Sequence, residues 1–145
     1  MREILFRAKR KDNSEWVYGN LITDGEDVYV LPKEDLLKGL DIGGWIDGVQ
    51  THEVIPETVG QYTGMTDKNG KKIFEGDIIQ SIESGETGEI QYFPEHTAFL
   101  IFVRCSVMDS RCYLDYLGEV KPSILKVIGN IFDNLELLKG STENE

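Results

Sequence analysis

The sequence contains little cysteine, few basic residues and no long apolar run. Its two cysteines, Cys105 and Cys112, form no Cys-x-x-Cys pair, and we favour buried, inert thiols over a metal site that combines them with His96. The longest apolar run, residues 98–103, is too short to span a bilayer, and the N-terminal stretch is too polar for a signal peptide. We therefore expect a cytoplasmic protein with reduced thiols, no cofactor and no membrane partner.

Acidic residues outnumber basic ones, with 26 Asp+Glu against 15 Lys+Arg, and the formal net charge is −11. A field of that sign repels phosphate backbones and disfavours nonspecific binding of nucleic acid. The one dense basic run comes at the end of a candidate strand, and its members are Arg7, Lys9, Arg10 and Lys11. We interpret this run as a solvated turn.

Sequence patterns of catalytic sites are also missing. Neither the Gly-x-Ser-x-Gly of hydrolases nor a phosphate-binding or dinucleotide-binding glycine pattern occurs. Glu75 and Asp77 flank Gly76, and such a pair of acids on one face could serve as acid and base. A turn that leads into a strand, with Asp77 accepting backbone hydrogen bonds, is the interpretation we favour. We therefore expect no enzymatic activity.

Strand signals dominate what is present, because aromatic and β-branched residues recur in short stretches between turn residues. Asn69-Gly70 is a strong turn signal, since both residues tolerate the positive φ that tight hairpins require. The stretches predicted as strands are residues 4–9, 16–22, 27–31, 58–62, 77–82, 89–93, 98–104, 113–117 and 123–128. Short strands with turns about every 8–12 residues are typical of a small barrel or sandwich.

Two helices are predicted beside these strands. Residues 33–40 carry acids in the first turn and Gly39 at the end, which suits a helix, and a glycine-rich loop follows over 41–48. Asp133-Asn134 is a natural cap for a short C-terminal helix before a disordered tail at 140–145. We expect a mainly β protein with a small N-terminal α+β region over 1–56. Residues 57–145 then form a small barrel domain that ends in the short helix.

One stretch of the sequence, residues 75–95, has an unusually one-sided charge. Between residues 75 and 95 there is no Lys or Arg, while six acids occur: Glu75, Asp77, Glu83, Glu86, Glu89 and Glu95. If two strands and their hairpin carry this set, one edge of the domain is strongly negative. Such an edge either keeps the protein soluble and prevents strand-to-strand aggregation, or it docks a basic partner.

Three segments resemble the YopX family of phage and prophage proteins. The most specific is residues 58–79, and residues 2–8 with 16–19 and residues 127–134 agree with it. Leu135 departs from the pattern, because proline commonly follows the asparagine in that family. The resemblance implies a phage-encoded cytoplasmic protein whose C-terminal domain is an SH3-like small β-barrel. It implies no established activity.

These observations lead to a ranked set of functions. The first is an accessory interaction module that binds a host or phage macromolecule, more readily a protein than a nucleic acid. Two alternatives stay open: a small barrel that binds nucleic acid, and an acidic mimic of nucleic acid that occupies a host DNA-binding protein. The sequence also leaves self-association open.

Overall fold

The computed structural model describes residues 2–32, 51–104 and 112–139. The chain divides into two compact units, Met1–Tyr62 and Thr63–Glu145. The expected boundary near residue 56 stays a prediction. The helix expected at 33–40, the loop at 41–48, Cys105 and the tail at 140–145 lie outside the described residues. No helix among the described residues is long and apolar enough to cross a membrane.

The first unit is built on an antiparallel sheet. Its strands are β1 (Phe6–Lys9), β2 (Trp16–Asp24), β3 (Asp27–Pro32), β4 (His52–Glu53) and the first residues of β5 (Gly60–Thr66). The predicted hairpin between the first two strands is confirmed, with Phe6 opposite Gly19 and Lys9 opposite Trp16. One face of this sheet buries Ala8, Val30 and Val54 as its core.

The basic run is tied into the first unit more firmly than a solvated turn would be. Arg7 is only 5% exposed, and its guanidinium lies 4.7 Å from the centre of the Trp16 ring. Arg10 forms an ion pair with Asp12, and Lys11 donates to Glu53. The interpretation as a solvated turn is therefore wrong for Arg7, because the ring covers a cation that the sequence pattern leaves in water.

The second unit contains the end of β5 and the remaining elements. These are β6 (Lys72–Phe74), β7 (Asp77–Ser81), β8 (Thr87–Phe93), β9 (Ala98–Arg104), β10 (Cys112–Tyr116), β11 (Leu125–Asn130) and the short helix α1 (Glu136–Lys139). The last five strands form one antiparallel sheet in the order β10-β9-β8-β7-β11. The core includes Ile73, Ile79, Ile90, Ile101 and Leu125. The mainly β class and the short C-terminal helix are confirmed.

The second sheet is open in the part of the chain that the structure describes. Strands β10 and β11 lie at its two ends, and no closed barrel is formed among the described residues. The chain passes from β10 to β11 through residues 117–124, which we call the crossing segment. It contains two 3-10 turns, Leu117–Glu119 and Pro122–Ile124. Leu117, Val120 and Ile124 pack against the core, so apolar packing rather than strand pairing links the two ends.

The predicted turn at Asn69-Gly70 is confirmed and is organised by the carboxylate of Asp67. One oxygen of Asp67 accepts hydrogen bonds from the Asn69 and Lys71 amides at 2.8 and 2.9 Å. The other accepts from the Val127 amide in β11 at 2.9 Å, and the Lys68 amide donates to the Leu125 carbonyl. The turn therefore covers the edge of β11 that does not pair with β7, which protects that edge from other strands.

We expect Gly70→Val to lower the free energy of unfolding by about 1–3 kcal/mol, because Gly70 has φ +81°. A side chain added there meets no atom within 4 Å, so the cost is backbone strain and not a clash. Urea or thermal melts measure it. Gly118→Val is the matched control. A side chain added at Gly118 also meets no atom within 4 Å, but Gly118 does not have a positive φ. Equal midpoints for the two variants would contradict the assignment.

We expect Asp67→Asn to cost about 1–3 kcal/mol, because an amide loses the charge-assisted bonds and turns a donor toward an N–H group. Burial raises the pKa of Asp67, but the Val127, Lys71 and Asn69 amides outweigh it and the net pKa lies below 3.8. The ionised carboxylate therefore stabilises the fold above its ordinary pKa, and this contribution is lost as the pH falls through the lower native value.

The difference in stability between wild type and Asp67→Asn should accordingly be constant near neutral pH and shrink in acid. Urea melts at a series of pH values test this expectation. Glu95→Gln, which removes the same charge from an exposed side chain, should have almost no effect at any pH. If Asp67→Asn lowers the free energy of unfolding by no more than Glu95→Gln does, the turn does not depend on the carboxylate.

Candidate functional site

The structure separates the six acids of residues 75–95 into different environments. Asp77 is only 2% exposed, and its carboxylate accepts a hydrogen bond from the Phe74 amide at 2.7 Å. Gly76, between the two acids, has φ +92°, and its amide donates to the Ile90 carbonyl. Glu75-Gly76-Asp77 is therefore the turn into β7 that the sequence predicts, and the Asp77 carboxylate has a structural role in it.

Glu83 and Glu86 lie together in the turn between β7 and β8, and both are exposed. The Ser81 hydroxyl accepts hydrogen bonds from the Glu83 and Ser84 amides, each at 3.2 Å. The Ser81 amide donates to the Glu86 carbonyl, and Gly85 has φ +79°. A turn held in this way presents its two carboxylates from a defined backbone.

The other two acids lie in β8, the strand that follows, and in the turn after it. Glu89 is half-buried in β8, opposite Ile78 of β7. Glu95 is exposed in the 3-10 turn Pro94–His96, beyond the far end of β8. Nine residues separate Glu86 from Glu95, which is roughly 30 Å of extended chain. The acids therefore do not form one continuous row, and only Glu83 and Glu86 are brought together with a cavity.

That cavity is a pocket of about 470 Å³ on the second unit. We call it the acid-rimmed pocket. Its apolar lining consists of Ile79, Ile101, Val120, Ile124 and Leu125, with Gly88 among them. Among the described residues its charged lining consists of Glu83, Glu86, Glu119 and Lys121, and Ser81, Ser84 and Thr87 add hydroxyl groups. Apolar walls with a few charged groups at the opening are typical of binding pockets of this size.

The topology explains why a pocket forms there. The crossing segment borders one side of it, and the turn between β7 and β8 borders another. The Ile82 amide donates to the Ile124 carbonyl at 2.8 Å, which ties these two segments together. Gly88 of β8, opposite Ile79 of β7, also lines the pocket. The pocket therefore lies where the crossing segment meets the turn between β7 and β8.

Sequence reasoning missed Glu119. It lies in the first 3-10 turn of the crossing segment and is exposed at the pocket with Glu83 and Glu86. No local pattern marks it, because the topology brings it to these acids from more than 30 residues away. The acidic surface at the pocket is therefore smaller than the predicted edge but draws on two separate segments.

Metal binding finds no support in residues 2–32, 51–104 and 112–139. No group of three or more His, Cys, Asp or Glu side chains there could hold an ion. Cys105 lies outside the described residues, and the side chains of Cys112 and His96 are not described. The inert state of the thiols therefore stays a prediction.

Residues in one of the segments that carry the resemblance serve to hold a turn. A side chain added at Gly129 would come within 2.6 Å of the Asn134 side-chain oxygen, which accepts a hydrogen bond from the Asn130 amide. The Asn130 side-chain oxygen in turn accepts from the amides of Phe132 and Asp133, each at 2.9 Å. This network holds the turn between β11 and α1, so the segment at 127–134 specifies a turn.

Comparison with known proteins agrees with this architecture. The family model described as YopX protein matches residues 5–139. The crystal structure of protein EF1440 from Enterococcus faecalis is similar over 95% of this chain and 99% of that one, with 21% identity and a TM-score of 0.51. At that identity the likeness concerns the fold alone. No curated protein matches the sequence. The match over residues 5–139 shows that the chain belongs to the YopX protein family.

Proposed function

We propose that this chain is an accessory protein of a phage or prophage that works in the bacterial cytoplasm as a protein-interaction module. The acid-rimmed pocket is the observation that carries the proposal. The phage context and the SH3-like relationship of the second unit come from the family resemblance. Short antiparallel strands joined by tight turns support that relationship. We propose binding rather than catalysis, since Asp77 serves the backbone at Phe74.

The chemistry of the pocket favours a basic protein segment as its partner. Apolar groups of a partner would pack beside Val120 and Ile124, the half-buried apolar residues of the lining, and leave water there. The described lining contains three carboxylates and one lysine, a balance that favours a basic partner. Charges at an exposed rim guide association and select the partner more than they add affinity.

The same charges argue against the two nucleic-acid alternatives. A phosphate backbone that approached the pocket would meet Glu83, Glu86 and Glu119, and the whole chain carries a net charge of −11. A mimic of nucleic acid needs regularly spaced surface charges. Here Asp77 is buried and Glu95 lies beyond the far end of β8, so the acids of residues 75–95 do not repeat along one surface.

Charge reversal tests the interaction function. We expect the triple variant Glu83→Lys, Glu86→Lys, Glu119→Lys to lose a basic protein that the wild-type chain captures from host cells, because the pocket becomes positive. Affinity capture with mass spectrometry measures this loss. The matched control reverses Glu26, Glu57 and Glu95, which are also exposed and do not line the pocket.

Both variants change the net charge equally, so they separate the local charge from the total charge. Thermal melts should give similar midpoints for both, since the reversed side chains are exposed. Capture that is retained by the pocket variant, or lost equally by the control, would contradict a role for the pocket.

We also expect negligible affinity for duplex DNA near 0.15 M salt, because too few cations converge to neutralise several phosphates. Fluorescence anisotropy with a labelled duplex measures this affinity. Micromolar or tighter binding by the wild-type chain would reject the ranking and promote the nucleic-acid function. The variant with a positive pocket provides the comparison, since any gain of DNA binding there reports the repulsion that the native carboxylates exert.

A further inference from the structure

Strand β2 extends beyond its neighbour β1. Strand β1 has four residues and β2 has nine, and their pairing ends where Phe6 lies opposite Gly19. Before Phe6 the chain turns toward β5, since the Tyr62 amide donates to the Leu5 carbonyl at 2.8 Å. Asn20–Asp24 of β2 therefore pairs with β3 on one side, while no strand in the described part of the chain pairs with it on the other.

The hairpin between β2 and β3 identifies the backbone groups on this free edge. Its loop consists of residues 25–26, between Asp24 and Asp27. A two-residue loop places the flanking pair in a hydrogen-bonded position, and bonded and non-bonded pairs alternate along the strands. Every second residue counted back from Asp24 therefore bonds to β3. Leu21 and Thr23 lie between these positions and direct their N–H and C=O groups outward.

The side chains beside these groups are accessible. Asn20 and Thr23 are exposed, and Ile22 is 41% exposed although it is apolar. Protein edges are commonly protected by lysine, proline or a bulge. Residues 20–24 contain neither lysine nor proline, and their register with β3 is continuous. An edge of this kind is a template for another strand.

A second copy of this chain fits the edge in one register. If two copies pair antiparallel about Ile22, Leu21 of each lies opposite Thr23 of the other, and the two residues exchange N–H···O bonds. Ile22 then meets Ile22 of the second copy in a close, non-hydrogen-bonded pair, which removes apolar surface from water. Asn20 lies opposite Asp24, so an amide faces each carboxylate and the two Asp24 side chains stay apart.

We infer that the chain associates with itself through the free edge of β2 and forms a weak symmetric dimer in this antiparallel register. The inference goes beyond the proposed capture of a basic protein, since the acid-rimmed pocket takes no part in it. Pairing over residues 20–24 falls short of the roughly 20–30 residues per side of a standard interface, which makes the dimer weak. The net charge of −11 also opposes close approach, and salt screens this repulsion.

Sedimentation equilibrium of the full-length protein tests the inference. We expect a reversible dimer at concentrations up to about 1 mM, with tighter association near 1 M salt than near 0.15 M salt. Hydrogen exchange followed by ¹⁵N–¹H NMR locates the contact. The amides of Leu21 and Thr23 should become better protected as the protein concentration rises.

Thr23→Pro tests the edge directly. The Thr23 amide points away from β3, so proline removes a bond to the second copy and none within the hairpin. We expect dimerisation to be at least about 10-fold weaker. Thr23→Val keeps the amide and is the matched control, which should retain the dimer.

Charge at Asn20 tests the register and stays informative if Thr23→Pro does not fold. Asn20→Asp places two carboxylates opposite one another and should weaken the dimer, whereas Asn20→Lys faces Asp24 and should tighten it. Thr51→Asp and Thr51→Lys make the same changes in net charge at an exposed residue before β4. These controls should shift the dissociation constant by less than their Asn20 counterparts.

Four results would contradict the inference. They are a monomer at every concentration and both salt levels, equal association of Thr23→Pro and Thr23→Val, Asn20 variants that match their Thr51 controls, and amides of Leu21 and Thr23 that are equally protected in dilute protein. The last would show that the edge is covered within the chain. Capture of a basic protein by the three pocket glutamates is measured separately, so either proposal can fail without the other.

Discussion

The second unit depends on one buried carboxylate. Asp67 holds its own turn through the Asn69 and Lys71 amides and reaches across to the Val127 amide of β11. A side chain that is 5% exposed and accepts three backbone hydrogen bonds satisfies amides that burial would otherwise leave unpaired. The same contacts fix where β11 runs beside this turn, and the crossing segment enters β11 directly. Asp67 therefore helps to hold the start of β11, where Leu125 lines the acid-rimmed pocket.

Turn geometry accounts for much of what looks like a functional signature. Gly64, Gly70 and Gly76 all have positive φ, which side-chain-bearing residues rarely adopt. Asp77 and Asn130 accept backbone hydrogen bonds within their turns. In this chain the segments that carry the YopX resemblance therefore build tight turns. The pocket draws mainly on residues outside the segments that carry the resemblance.

Binding and stability make different demands on the same sheet. Ile79, Ile101 and Leu125 belong to the core and are at most 4% exposed, so the pocket is bordered by groups that hold the second unit together. The exposed carboxylates nearby keep the opening hydrated and charged, which limits nonspecific association through the apolar lining.

Local sequence patterns were enough to predict the mainly β class, most of the strands, the turn at Asn69-Gly70 and the C-terminal helix. Alternation, glycine and cap residues are local signals, and local conformation follows them. Two short strands escaped detection, β4 with two residues and β6 with three, because only a neighbouring strand makes such segments extended. Strand β5 runs beyond its predicted end at residue 62 and continues through Gly64.

Tertiary structure alone decided the burial of Arg7, the open second sheet and the pocket. Burial of a cation depends on a ring supplied by another strand, and closure of a sheet depends on how its ends are connected. Glu119 lines the same pocket as Glu83 and Glu86 because the crossing segment returns to the sheet, which brings together residues more than 30 positions apart. Local sequence carries no information about such a meeting, since the packing of Leu117, Val120 and Ile124 against the core creates it.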